Sequence, residues 1–299
     1  MDIFAGMRVF TAVVDAGSFA GAADKLELSR GMATRYVNQL EAHLGIRLLN
    51  RTTRKLSLTE AGAGFYQRAT QILSMVEDSE AAAARQVSVP RGTLRVATSV
   101  AFGVLQMGSA VTEYLKRYPR LHVDVALNDR VVDLVEEGFD LAVRIGPRVD
   151  PGLVARKIAG MRIVVCASPA YLKNHGTPKD PAQLVKHNCL TYSYSSQESN
   201  WPFVRKTVER TVVVSGNLRA NNGNVLVSAA VEGLGIIRQP AFVVADALRK
   251  KTLVPVLPDW SAGEHAVSAV YPNRQYLPPK VRTFIDFLAE RFGRESEWT

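Results

Sequence analysis

Arg30, Thr34, Arg35 and Asn38 sit among Ala33, Val37 and Leu40, which recur at steps of four and three. That period predicts a short helix that buries the three apolar residues and turns the four polar ones outward. The polar types suit a duplex: arginine pairs with guanine, asparagine with adenine, and threonine with either base or phosphate. Ser29 stands where this helix needs an N-cap, and Ser18 does the same for a shorter segment before it. A capped helix N-terminus also favours phosphate. Further on, Arg51, Thr52, Thr53 and Arg54 form a basic tip able to reach backbone or a minor groove. Plainer readings stand beside these. The arginines also fit a solvated face, Thr34 can bond its own helix backbone, and the two serines are caps first.

The surrounding pattern supplies a frame for this helix. Ile3, Phe4, Met7, Phe10, Val13 and Val14 recur at helical spacing and Gly17 stops them. A second helix follows from Ser18 to about Leu26, and a third from Ser29 to about Leu44 with Gly45 as its stop. Arg47, Arg51, Arg54 and Lys55 alternate with Leu48, Leu49 and Leu56, which reads as a small β-wing. From Thr59 to about Gln86 no proline interrupts a long helix. Leu58, Gly62, Phe65, Ala69, Ile72, Val76, Ser79 and Ala83 make a heptad seam on it. Pairing with a second copy is the expected use of that seam, and packing on its own domain is the alternative.

After Pro90-Arg91-Gly92 the texture changes. Strands are expected at 94–98, 123–127, 141–145, 163–167, 190–194, 211–214, 235–237 and 267–271. Helices are expected at 103–117, 131–138, 169–174, 222–232, 240–248 and 279–292. Such alternation predicts an α/β fold with mostly parallel sheet, divided into two lobes around a ligand cleft.

Composition narrows the function classes. The chain has 299 residues, 47% apolar and 22% charged, which excludes long disorder, collagen and a disulfide scaffold. No apolar run reaches the length of a membrane span, and the first residues lack a signal peptide's basic start, so a cytoplasmic protein without a membrane partner is expected. The net charge is +9, yet residues 91–299 carry 27 basic and 19 acidic side chains. More telling is the stretch 28–60, with six basic against two acidic. Cys166 and Cys189 read as reduced core thiols, with redox sensing at Cys189 as the alternative. His43, His122, His175, His187 and His265 have no ligand spacing, so neither metal nor cofactor is expected. No P-loop, Gly-x-Ser-x-Gly or Cys-x-x-Cys is present, and Gly233-Leu234-Gly235 leads from helix to strand, the reverse of a dinucleotide fingerprint.

These residues, in this order, resemble the LysR-type transcriptional regulators. The likeness is strongest from Phe10 to Gly62: Phe10-Thr11-Ala12-Val13-Val14-Asp15-Ala16-Gly17-Ser18-Phe19, then Ala22-Ala23, Leu26 and Leu28-Ser29. It continues through Leu40-Glu41-Ala42-His43-Leu44-Gly45-Ile46-Arg47-Leu48-Leu49, Arg51-Thr52-Thr53-Arg54 and Leu58-Thr59-Glu60-Ala61-Gly62. Phe139 to Gly146, Ser168-Pro169-Ala170-Tyr171-Leu172 and Gly233 to Ile236 look like the family's effector domain. One departure is that Arg30 and Gly31 stand where the family commonly has glutamine and then proline or serine.

The resemblance implies an N-terminal all-α winged helix-turn-helix (1–59), a linker and dimerisation helix (60–88) and a C-terminal α/β effector-binding domain (92–299). That last domain would have two lobes like periplasmic binding proteins, lobe I at about 92–162 and 268–299 and lobe II at about 163–267. It implies DNA contacts at Ser18, Ser29, Arg30, Thr34, Arg35, Asn38, Arg51 and Arg54. It also implies an effector pocket at strand ends: Thr98, Ser99, Phe102, Asn128, Arg144, Gly146, Ser195, Asn221 and Asn222. Ser99 and Asn222 open helices whose N–H groups could hold a carboxylate, so the expected effector is a small organic anion. Arg144 can instead serve as a structural ion-pair partner, Asn221-Asn222 as a turn and cap, and Trp201 as a cleft wall or a plug of its lobe. Promoter duplex, a second copy, a dimer of dimers and RNA polymerase are the implied partners. The competing class is a cytoplasmic α/β solute-binding or catalytic protein with a helical dimerisation arm. Such an arm has no need of outward Arg30, Arg35 and Asn38.

Overall fold

A computed structural model describes residues 2–51, 56–83, 90–146, 152–195, 197–272 and 277–293. It divides into two compact units, Met1–Val89 with Glu136–Gly138, and Pro90–Val135 with Phe139–Thr299.

In the first unit, α1 (Ile3–Asp15), α2 (Phe19–Lys25) and α3 (Arg30–Leu44) precede a hairpin of β1 (Leu49–Arg51) and β2 (Leu56–Leu58), followed by α4 (Glu60–Ala83). Asp2, Ser18 and Ser29 each accept backbone N–H bonds at a helix start, so all three helices are capped by side chains. Gly45 ends α3 with φ at +68°, the left-handed turn that glycine takes without steric cost. Phe10, Val13, Ala22, Ala33, Val37, Leu40 and Leu48 are fully buried and form one core. Each of the larger side chains contributes roughly 1.5–3 kcal/mol by leaving water.

The long-helix seam divides. Gly62, Phe65 and Ala69 face their own unit: Phe65 lies 5.7 Å from the Phe10 ring, and Ala69 packs with Met7 and Leu73. The alternative of packing on the home domain therefore holds for the first half of α4. Ile72 and Met75 remain exposed, and Ala83 lies where no side chain is described.

The second unit comprises β3 (Gly92–Thr98), α5 (Val100–Phe102), a π-turn at Gly103–Met107, α6 (Gly108–Arg117), β4 (Leu121–Leu127), β5 (Leu141–Ile145) and β6 (Leu153–Ala167). Then come α7 (Pro169–His175), β7 (Cys189–Tyr192), β8 (Asn200–Arg205), β9 (Val208–Val213), β10 (Arg219–Ala220), α8 (Gly223–Val231) and β11 (Ile236–Pro240). The unit closes with α9 (Ala241–Arg249), β12 (Val254–Pro255), β13 (Glu264–Pro272) and α10 (Pro279–Phe292). The main sheet runs β10-β7-β11-β6-β13-β5-β3-β4, with β12 also on β6. β3 pairs in parallel with β4 and β5, and β7 with β10 and β11. Between these two parallel groups, β6 and β13 cross antiparallel from Leu153–Pro272 to Arg162–Glu264. The sheet is thus mixed rather than mostly parallel. Strand–helix alternation foretells the parallel groups, but not the crossing strands that join them. The helix expected at 131–138 is instead a turn around residues 134–138. Asp133 Oδ1 accepts from Val135 N at 2.9 Å, and β-branched Val131, Val132 and Val135 disfavour a helix there.

A buried ion pair fastens α10 to this sheet. Lys280 Nζ lies 3.3 Å from Asp140 Oδ2 and donates to Thr93 O at 2.9 Å. Asp140 Oδ2 also accepts from Arg95 N at 2.9 Å. Lys280→Met leaves the carboxylate buried without its cation and is expected to lower stability by about 3–5 kcal/mol. Urea unfolding of the full chain checks this, and a loss below about 1 kcal/mol would assign the pair no structural weight.

Candidate DNA-contact face and effector cleft

Arg30, Arg35 and Asn38 are exposed on α3, while Ala33, Val37 and Leu40 on its other side have no exposure. Ser29 Oγ accepts from Met32 N at 3.2 Å and Ser18 Oγ from Gly21 N at 3.1 Å. Both hydroxyls remain at the surface with their hydrogens uncommitted among the described residues. Thr34 Oγ1 donates to Arg30 O at 3.0 Å, so its own helix takes the hydroxyl hydrogen and only its lone pairs are left to meet a partner. Arg51 ends β1 opposite Leu56. Arg54, with Thr52 and Thr53, lies outside the described residues.

Glu41 is a positioning residue the sequence reading missed. Its Oε1 accepts from Leu48 N at 2.8 Å and Leu49 N at 3.1 Å, joining the far end of α3 to the start of the wing. A lone acid between Arg35 and Arg47, inside a basic stretch, was the available signal. Glu41→Ala strands two N–H groups and is expected to cost about 1.5–3 kcal/mol. The unfolding midpoint reads that loss, and Glu41→Gln should recover part of it.

In the second unit, the ends of β3, β4 and β5 face those of β7, β11 and β13 across a cleft of about 960 Å³. Thr98, Ser99, Asn128, Arg144, Gly146 and Ser195 line it. Thr98 Oγ1 donates to Val143 O at 3.2 Å, Asn128 Oδ1 accepts from Arg130 N at 2.9 Å, and Ser195 Oγ accepts from Gln197 N at 3.1 Å. Arg144 Nη2 donates to Val132 O at 2.9 Å, which ties it to the wall behind it.

Three expected pocket residues are not among those that line the cleft. Phe102 is fully buried between Phe242 at 5.5 Å and Phe292 at 5.7 Å, because the first turn after β3 rotates it into the core. Asn221 is exposed, outside the cleft lining. Asn222 caps α8 through Asn224 N, and its Nδ2 donates to Asp129 Oδ2 at 2.9 Å. The helix start beside Ser99 is also taken: Val100 N donates to Asp129 Oδ1 at 3.0 Å, and Ser99 makes no capping bond. Trp201 is both wall and plug, since it borders the cleft yet is buried with Phe203, Val212 and Trp260.

Asp129, Tyr192, Gln197, Arg238 and His265 also line the cleft and escaped the sequence reading. Arg238 carried the best signal, a cation directly after the apolar run Leu234-Gly235-Ile236-Ile237. Its Nε and Nη2 donate to Ala262 O at 3.2 and 2.7 Å, and Nη2 reaches Gln197 Oε1 at 3.3 Å. Burial lowers its pKa to about 10, still charged at neutral pH. Burial and the neighbouring Arg238 hold the His265 pKa below its ordinary value. Burial, then Asp129 and Tyr194, push the Tyr192 phenol up to about 12. Both thiols are buried, and that burial raises their pKa to about 12, which disfavours the reactive thiolate.

Two family models match the chain. One, described as a bacterial regulatory helix-turn-helix protein of the lysR family, covers residues 4–63, and the LysR substrate binding domain covers 88–293. The chain is 36% identical over 281 residues to an uncharacterized HTH-type transcriptional regulator of Haemophilus influenzae, spanning 94% of this chain and 98% of that one. It is 33% identical to the HTH-type transcriptional regulator CrgA of Neisseria meningitidis, over 96% of both chains. The solved CrgA structure aligns with a TM-score of 0.62 at 32% identity, covering 97% of this chain and 99% of the other. That of AphB, a virulence activator of Vibrio cholerae, gives 0.58 at 30% identity, covering 96% and 98%. The capped helical head with its wing and the two-lobed domain with its cleft are the two parts these models describe, and the chain belongs to the LysR-type transcriptional regulators.

Proposed function

We propose that the outward face of α3 enters the major groove of promoter DNA, with Arg30, Arg35 and Asn38 at base edges or phosphates and Ser18, Ser29 and Thr34 beside the backbone. Arg51 and Arg54 of the wing take the adjacent phosphates or minor groove. The single observation that supports this most is the division of α3 into a fully buried apolar stripe and an exposed basic and amide face. We assign 1–59 to the DNA-binding domain, 60–88 to the linker helix and 92–299 to the effector domain, with lobe I at about 92–162 and 268–299 and lobe II at about 163–267.

Regulators of this family bind promoter DNA, take small-molecule effectors and form oligomers. For this chain the proposed effector is a small organic anion held in the cleft. The proposed assembly is a dimer through the exposed part of α4, then a dimer of dimers, with RNA polymerase as a further partner at the promoter. Its place is the cytoplasm, and its action is binding rather than catalysis; the named relatives are transcriptional regulators. Gel shift of the full chain on DNA upstream of its own gene, across a salt series, tests the reading. Each phosphate contact should add about one to the log–log slope. Absence of salt-sensitive binding to any duplex, with and without cell extract, would reject it.

A further inference from the structure

Asp129, Glu198 and Glu264 line the cleft beside its cations, and the first two are already engaged. Asp129 takes Val100 N and Asn222 Nδ2. Glu198 pairs with Arg219, whose Nη2 donates to it at 3.1 Å. The helix N-terminus beside Ser99 therefore meets a carboxylate of its own chain, and an incoming anion would be repelled there.

On the opposite wall Arg238 has only neutral hydrogen-bond partners among the described residues. Ala262 O takes two of its N–H groups and the Gln197 amide oxygen a third, the longest of the three. No carboxylate among the described residues pairs with it, and Nη1 donates to none of them. Strand β11 and the two bonds to Ala262 O fix the guanidinium plane, so little freedom is lost when a ligand arrives. Tyr192, Trp201, Pro240 and Phe242 line the same cleft and give it apolar surface.

We propose that Arg238 anchors the carboxylate of a small organic acid with an apolar body, one ligand oxygen on Nη1 and the other in the place that Gln197 now holds on Nη2. This rests on the cleft being the effector site, as proposed above. Gln197 then turns its amide N–H to the ligand, and Tyr192 and Trp201 receive the apolar part. Burial and the neighbouring Arg238 lower the His265 pKa, which disfavours a second cation beside the anchor.

The test is calorimetric titration of the full chain with benzoate, cinnamate and hexanoate, each beside its own amide. At least one acid should bind while its amide does not. Arg238→Gln should weaken that acid by about tenfold or more, the range for hydrogen bonds to a charged group. Arg238→Lys, which keeps the charge and loses the fork, should fall between them and shows that the loss is not misfolding. If an acid binds wild type and Arg238→Gln equally, the anchor is wrong and the anionic effector stands. Amides binding as well as acids, or failure of all three acids to bind, would overturn the ligand class itself.

Discussion

Arg35→Ala should weaken binding of the full chain to its preferred duplex by about 1–3 kcal/mol, a factor of roughly 5 to 150. Arg35 is exposed on α3 and makes no hydrogen bond or ion pair with the described residues, so the folded head loses no polar interaction with them when it is removed. A surface change of this kind leaves stability within about 0.5 kcal/mol. The pattern of loss identifies the contact. Relaxed preference at one base pair means that Arg35 reads a base edge; uniform weakening, with the salt slope reduced by about one, means a phosphate. Unchanged affinity on every duplex would remove Arg35 from the interface.

Gly62→Ala should disrupt the junction between the wing and α4. A Cβ there would stand 1.9 Å from Leu48 O and 2.8 Å from Leu48 C, so backbone must move. Thr59 makes that backbone costly to displace: its Oγ1 donates to Arg47 O at 2.8 Å and accepts from Gly62 N at 2.8 Å. The overpacking cost is about 1–3 kcal/mol, and a displaced wing should lower DNA affinity with it. Gly64→Ala is the control. Gly64 lies in the same helix with open space around its Cβ position, so the change should stabilise by about 0.5–1 kcal/mol. Urea midpoints of the two variants should move in opposite directions. Equal midpoints would mean that the close approach at Leu48 carries no constraint.

The contrast between these glycines shows what the sequence could and could not reveal. Gly62 sat on a seam of small residues, and its spacing alone fitted a partner helix as well as its own wing. Only the place of Leu48 decides between them. The head was legible because caps and apolar steps are local: Ser18, Ser29 and Gly45 act within a few residues of themselves. In the second unit the parallel groups were legible for the same reason, while the pairing of β6 with β13 joins residues more than a hundred positions apart. The cleft followed suit. Strand ends gave Thr98, Ser99 and Asn128, but Phe102 turned inward and Asp129 took the helix start that Ser99 was expected to offer. Arg238 earns its role from Ala262 and Gln197, neither of which is near it in sequence.

Selection of duplexes from a random-sequence pool by the full chain, repeated with Asn38→Ala, addresses the duplex-reading role of α3 most directly. Wild type should enrich inverted half-sites about one helical turn apart or a multiple of that, and the variant should lose preference at one base pair in each half-site. A pool that stays random, or half-sites enriched as direct repeats, would contradict it.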